Sequence, residues 1–496
     1  MTQSILRLTI LFLVLPFTGL TSSAQDDSDT ENERSVAQLV RQLRELTVIR
    51  LDMTSEGIVE RQRKKIELAN QILDHQDASD ADFNLATVAR LQALGVQFAL
   101  KSKDKDLDSQ LNEEYSDAIE EALDSDEQSI VFEATTASAG FRSGLYTMEP
   151  NEENAKYAAE AINNLNEIAP KDPLIQTTRR ILLEQMRNSE NPKLVFEKLK
   201  DSDEKLARIV LEQLEGTTEK PVADFLWAKH FAKFGDFIAQ RRLAVMYEMG
   251  NGTRVNYSQA ARWYGKLARV NDIRALVKLG DFYREGKGYF KNPEAAVKNY
   301  QTAAKAQSRV AQFKLAECFR LGEGVTQSDD NWRRWIKTAA SNASANDVGL
   351  IYEEIPFEGA PDSYRIFYES MVDQNPDDVY YMNNLSYSLL IGSEKDPERS
   401  LELIEKAISE APDDFRSLNS FLDTKATALM QLSKWKEAAE IFETILPDIE
   451  DKKPVLESLV KCFQEIDLNK ADEYQKQLEQ LEQLDDKSDD DKSQID

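Results

Sequence analysis

Leu243, Leu279 and Leu315 stand 36 residues apart, and so do Tyr247, Tyr283 and Phe319. The glycine pairs Gly250/Gly252, Gly286/Gly288 and Gly322/Gly324 keep the same step, as do Ala268, Ala304 and Ala340. Three copies follow one another without an insertion or deletion, and a period of roughly 20–50 residues marks a stacked-repeat architecture. Each leucine and the aromatic residue four positions on share one face of a helix. A small residue, Ala244, Gly280 or Ala316, follows the leucine where a neighbouring helix must come close. The G-x-G then ends that helix, because glycine enters left-handed geometry without a Cβ clash. A second helix runs back, as in SQAARWYGKLA over 258–268. A lone hairpin of this kind cannot bury its apolar face, so the copies are expected to stack into an all-α, α-α superhelical solenoid.

Composition agrees with that reading. Only 18 glycines and 14 prolines interrupt 496 residues, which favours long helical runs over sandwiches or barrels. The glycines do not spell a phosphate loop: no strand pattern precedes them and no G-K-[ST] follows. Two cysteines exclude a disulfide scaffold and two histidines leave little for a multi-histidine metal site. The formal charge of −28 argues against a surface devoted to nucleic acid or anionic lipid.

The pattern A-x-x-x-L-[GA]-x-x-[YF]-x-x-G-x-G, with the second-helix alanine and aromatic positions at a 36-residue step, resembles the Sel-like (Sel-one-like, SLR) repeat, a relative of the tetratricopeptide repeat. The resemblance is clear over 239–342, and the array is expected to span 203–355, with a degenerate first copy near 203–236 and a worn copy after 345. Farther on, NNLSYSLL (383–390), ERSLELIEKAISEAPDD (398–414) and LDTKATALMQLSKWKEAAEIFETILP (422–447) resemble tetratricopeptide repeats over 360–481, with Pro376, Pro412 and Pro447 closing successive helices. Residues 34–202 carry helical periodicity and read as a divergent tetratricopeptide-like region, with a short coiled coil over 34–72 as the alternative. Residues 482–496, rich in aspartate, read as a disordered tail.

Residues 1–24 have the design of a cleaved signal peptide: Arg7, an apolar run over Leu8–Leu20, and Ser22 and Ala24 before the cut. A polar leader follows over 25–33. The expectation is export to the periplasm or beyond, with no stable membrane span, since the apolar run falls short of the ~20 residues needed.

Charge is distributed unevenly. Residues 239–342 hold 19 Lys and Arg against 9 Asp and Glu, inside an otherwise strongly acidic chain. Two ladders recur at the repeat step: Arg242, Lys278 and Lys314 on first helices, and Arg262, Lys298 and Arg334 on second helices. A solenoid aligns such positions into stripes suited to an acidic partner, or to the acidic arms of the chain itself. The repeated aromatics Trp227, Trp263, Tyr264, Tyr300 and Trp335 sit at core spacing rather than in a sugar-stacking row. Asp104, Asp106 and Asp108 have the start of a calcium-loop spacing, but Ser109 replaces the turn glycine and Tyr115 stands where the bidentate glutamate belongs. Cys318 and Cys462 read as buried, unpaired thiols, and neither His75 nor His230 falls in a catalytic motif.

What the resemblance implies is a non-catalytic adaptor that holds a protein or extended peptide, with no cofactor, no metal and no nucleic acid. First helices line the groove of such repeats, so the expected partner-binding residues are Arg241, Arg242, Arg274, Lys278, Arg284, Lys314 and Arg320. An envelope glycan or other anionic polymer is the alternative ligand, and a hydrolase acting on envelope material is the remote one.

Overall fold

The computed structural model describes residues 35–47, 55–101, 109–412 and 415–492; the expected signal peptide and polar leader lie outside them. Among the described residues every regular element is helical. The chain divides into two compact units, one through Trp263 and one from Tyr264.

Unit 1 holds α1 (Val36–Thr47), α2 (Ser55–Leu73), α3 (Asp80–Lys101), α4 (Ser109–Leu123), α5 (Gln128–Met148) and α6 (Glu152–Ile168). It continues with α7 (Pro173–Arg187), α8 (Pro192–Lys198), α9 (Glu204–Leu214), α10 (Lys220–Lys233) and α11 (Phe237–Met249). The boundary falls inside α12 (Tyr257–Ala268). Unit 2 holds α13 (Ile273–Glu285), α14 (Pro293–Lys305), α15 (Arg309–Leu321), α16 (Asp329–Ala340), α17 (Ala345–Glu354) and α18 (Pro361–Gln374). Then come α19 (Val379–Ile391), α20 (Pro397–Glu410), α21 (Leu418–Gln431), α22 (Trp435–Ile445), α23 (Lys453–Gln464) and α24 (Leu468–Lys492). Within each unit successive helices pack as hairpins: α5 on α6 and α10 on α11 in the first, α13 on α14, α15 on α16 and α19 on α20 in the second.

The repeat step is written into the helix ends as well as the core. Asp236, Asp272, Ser308 and Ser344, 36 residues apart, each cap a first helix by accepting the backbone N–H three positions on. Asn256, Asn292 and Ser328 do the same for second helices. Each cap supplies a partner to an N–H that the helix cannot pair, worth ~1 kcal/mol. Gly250, Gly286 and Gly322 close the first helices in left-handed geometry at φ of 76°, 78° and 71°. Gly252 and Gly324 have a second reason to be glycine. A Cβ on Gly252 would stand 1.9 Å from the Pro221 carbonyl oxygen, and one on Gly324 2.3 Å from that of Pro293. At the far end of the second helices the chain is also left-handed, but without glycine, at Asn271, Gln307 and Asn342.

The unit 1 core runs from Leu94, Phe98 and Phe141 to a larger cluster of Leu165, Leu183, Phe196, Trp227, Phe231 and Leu243. In unit 2, Tyr300 and Leu315 lead into an aromatic cluster of Phe313, Tyr364, Phe367 and Tyr368, and Phe442, Leu459 and Cys462 fill the last hairpins. Trp227, Tyr264 and Tyr300 are buried, and Trp263 and Trp335 pack half-buried against their cores. Both thiols are buried and free. Burial pushes Cys318 up to about 12 and Cys462 to about 11, which favours the protonated thiol at both.

The division between the two units falls at Trp263 and Tyr264, within the stretch expected to be the 203–355 array. Residues 203–236 form the hairpin α9–α10, and the worn copy after 345 forms α17 and α18, joined by a 3-10 turn over Phe357–Gly359. Pro173 opens α7, with Asp172 as cap. The backbone stays helical through Lys492, past the expected start of the tail, since no Gly or Pro interrupts Leu468–Lys492. The aspartates of the calcium-like loop lie outside the described residues, while Leu111 and Tyr115 are buried on one face of α4.

Candidate interaction surface

The first-helix ladder is where structure and expectation part. Lys314, expected on a surface stripe, is 3% exposed. Its ammonium lies 2.9 and 3.0 Å from the two carboxylate oxygens of Asp281, and 3.2 Å from Glu354 on α17. The Tyr300 hydroxyl donates to Asp281 at 2.6 Å. Lys278 reaches the other oxygen of Glu354 at 3.0 Å. Burial raises the Glu354 carboxyl, but Lys314 and Lys278 outweigh it and hold the group below the usual carboxylate range. Lys314 is therefore a buried structural cation, and Lys278 is paired to the same acid. Leaving a lysine unpaired at such a site would cost several kcal/mol, which is why the acids are there.

The same holds for other members of the expected set. Arg320 donates to Glu317 at 2.7 Å, and Glu317 also takes the Ser363 hydroxyl, which in turn accepts the Trp332 indole N–H at 2.7 Å. In unit 1, Arg242 pairs with Glu184 at 2.9 Å, while Arg180 bridges Glu184 and the fully buried Asp236, both at 2.8 Å. Arg241 is half-buried. Arg284 is half-buried in the field of Asp281 and Glu323. Arg274 is exposed, with no ion pair among the described residues.

The second-helix ladder is the open one. Lys298 on α14 and Arg334 on α16 are exposed and form no ion pair among the described residues. Arg262, the corresponding residue on α12, is also exposed. Arg333 and Lys337 add exposed charge to α16. Two of the acids that pair with first-helix cations carry a signal in the chain: Asp281, which takes Lys314, and Glu317, which takes Arg320, are themselves 36 apart, each three residues after a ladder lysine. Glu354, Glu184 and Ser363 carry no comparable signal, since none stands at the 36-residue step from Asp281 and Glu317.

Among the described residues no group of three or more His, Cys, Asp and Glu side chains is placed to hold a metal ion. No described helix is long and apolar enough to cross a membrane.

Capped hairpins at a constant period, each with its own buried polar links, define an all-α helical-repeat protein of the solenoid class. The repeats are Sel1 repeats: the Sel1 repeat family model matches residues 238–272, 273–308, 309–344 and 379–411. The last match covers α19 and α20, within the stretch that resembles tetratricopeptide repeats by spelling. No curated protein sequence matches the chain. Among solved structures, c5321, a protective antigen of uropathogenic Escherichia coli strains displaying an SLR fold, is 16% identical. That alignment covers 90% of this chain and 94% of that one, at a TM-score of 0.40. A Sel1 repeat protein from Oxalobacter formigenes is 29% identical over 26% of this chain and 98% of that chain, at a TM-score of 0.23.

Proposed function

We infer that the chain is a non-catalytic adaptor that holds another protein on its repeat surface. Sel1 repeats commonly mediate protein–protein contacts, and the observation that carries the reading here is the exposed pair Lys298 and Arg334. The two occupy one register position in consecutive repeats and are left unneutralised, while Arg242, Lys278 and Lys314 of the first-helix ladder are each paired to an acid. Regularly spaced cations on a rigid scaffold suit an acidic partner, for which they supply steering and register. The pattern of residues 1–24 supports an exported protein acting in the periplasm or outside the cell.

The test is affinity capture from the host's envelope fraction on the immobilised protein, eluted with a salt step, beside a Lys298→Glu/Arg334→Glu variant. A discrete client lost in the variant and released by salt supports the adaptor reading. Retention of cell-wall polymer in place of a protein would transfer the assignment to an envelope-glycan binder. Mass spectrometry of the exported protein should find Gln25 at its N-terminus.

A further inference from the structure

A second candidate site lies in unit 1, away from the Sel1 matches. Helices α9 and α10 flank an open cleft of about 530 Å³, within the ~300–1,000 Å³ range of small-molecule and peptide sites. From α9 it takes Lys205, Arg208, Ile209 and Glu212, and from α10 Leu226, Lys229, His230 and Lys233, with Phe234 just beyond. Both sets follow the i, i+3, i+4, i+7 rule, so each helix turns one continuous face to the cleft. Eight residues of α10 extend about 12 Å at 1.5 Å each, the reach of three or four residues of extended peptide.

The lining separates into an apolar floor and a cationic rim. Ile209, Leu226 and the exposed Phe234 make the floor. Lys205 and Lys233 are exposed and form no ion pair among the described residues, and the Lys229 ammonium lies 5.5 Å from the Phe225 ring centre. Arg208 is paired to Glu204 at 2.6 Å, and Glu212 accepts the Thr218 hydroxyl.

One buried polar group in the lining has no partner. His230 is 8% exposed, and its Nε2 makes no hydrogen bond. The nearest acid, Asp203, has an oxygen 3.5 Å away but is committed elsewhere. One Asp203 oxygen caps α9 at the Leu206 N–H, and the other takes the Arg179 guanidinium at 2.7 Å. A buried polar atom left unpaired costs about 1–3 kcal/mol, so His230 holds a strained electrostatic position at the edge of the cleft and senses charge placed near it.

We propose that the α9–α10 cleft binds a short acidic segment of a partner protein, three or four residues with a carboxylate beside a large apolar side chain. The apolar side chain lies on Ile209, Leu226 and Phe234, and the carboxylate sits between Lys205 and Lys233, within the field they share with His230. Burial, with Arg179, Lys205 and Lys233, lowers the His230 pKa to about 4 against the opposing pull of Asp203. An empty cleft therefore presents a neutral imidazole, and a bound carboxylate shifts its titration upward. The site is separate from Lys298 and Arg334, so it can fail while the adaptor reading stands, and the reverse.

The experiment is fluorescence anisotropy on the full chain with a labelled peptide of alternating aspartate and phenylalanine. Two control peptides carry lysine for aspartate or serine for phenylalanine. The acidic–aromatic peptide should bind, and Lys205→Glu/Lys233→Glu should weaken it by about tenfold or more, as reversal of close interfacial charges does. Lys298→Glu/Arg334→Glu should leave it unchanged. Binding should also raise the His230 pKa seen by NMR, a readout that survives if a variant is poorly behaved. Equal binding of the lysine peptide, indifference to the Lys205/Lys233 reversal, or a stationary His230 titration would overturn the assignment. Displacement of the peptide by decanoate at equal concentration would overturn its peptide specificity.

Discussion

The Lys314 ammonium lies 2.9 Å from the Asp281 carboxylate, a contact between first helices of neighbouring Sel1 repeats. It turns a residue that reads as surface charge into part of the packing of unit 2, and it explains why cations cluster there without forming an open stripe. Lys314→Met should therefore destabilise unit 2 by ~3–5 kcal/mol, the cost of stranding a buried partner charge. Adding Asp281→Asn should recover part of the loss, and Lys298→Met should stay within about ±0.5 kcal/mol. Urea unfolding followed by circular dichroism measures all three; equal effects at Lys314 and Lys298 would contradict the buried pair.

Gly322 and Gly324 separate two reasons for glycine. Both have φ near +70°, but a Cβ on Gly322 would find ordinary contacts at 3.5 Å, whereas one on Gly324 would strike the Pro293 carbonyl oxygen. Gly322→Ala should cost roughly the left-handed penalty alone, ~1–2 kcal/mol. Gly324→Ala should cost clearly more, because backbone must move. Comparable unfolding midpoints for the two variants would remove the steric account.

Gln307 has φ of 64° without glycine's freedom. Gln307→Gly should relieve strain and stabilise the chain by up to about 1 kcal/mol, reduced by glycine's extra entropy in the unfolded state. A lower melting temperature would show that the Gln307 side chain contributes more than its backbone costs.

His230 gives stability a pH dependence of defined sign. Its folded pKa, about 4, is below the ordinary 6.5, so the unfolded chain binds the proton first. The histidine's contribution is intact above pH 6.5 and is lost as pH falls toward 4, by up to about 3 kcal/mol. Urea midpoints measured between pH 7.5 and 4.5 should fall less steeply for His230→Gln than for the parent; parallel slopes would place the dependence on other groups.

The repeat period, the hairpin in each copy, the glycine stops and the core positions of Leu243, Tyr264 and Tyr300 were legible in the chain. All depend on local geometry: helical spacing places them on one face, and left-handed closure selects glycine. The caps Asp236, Asp272, Ser308 and Ser344 keep the same 36-residue step, but their role emerged only with the helix ends in place. The accessibility of the ladders was not legible. Lys278 and Lys298 are both cations at repeat positions, and nothing local distinguishes one paired to Glu354 from one left open. The α9–α10 cleft was hidden for the same reason, as His230 meets Asp203 only when α10 packs beside α9. Periodicity thus determined which residues are equivalent, because equivalence is a property of the chain. Which charges are neutralised and which face solvent was decided by tertiary packing, because an ion pair forms only where packing brings an acid against the cation, and the 36-residue step alone does not say which acid that is.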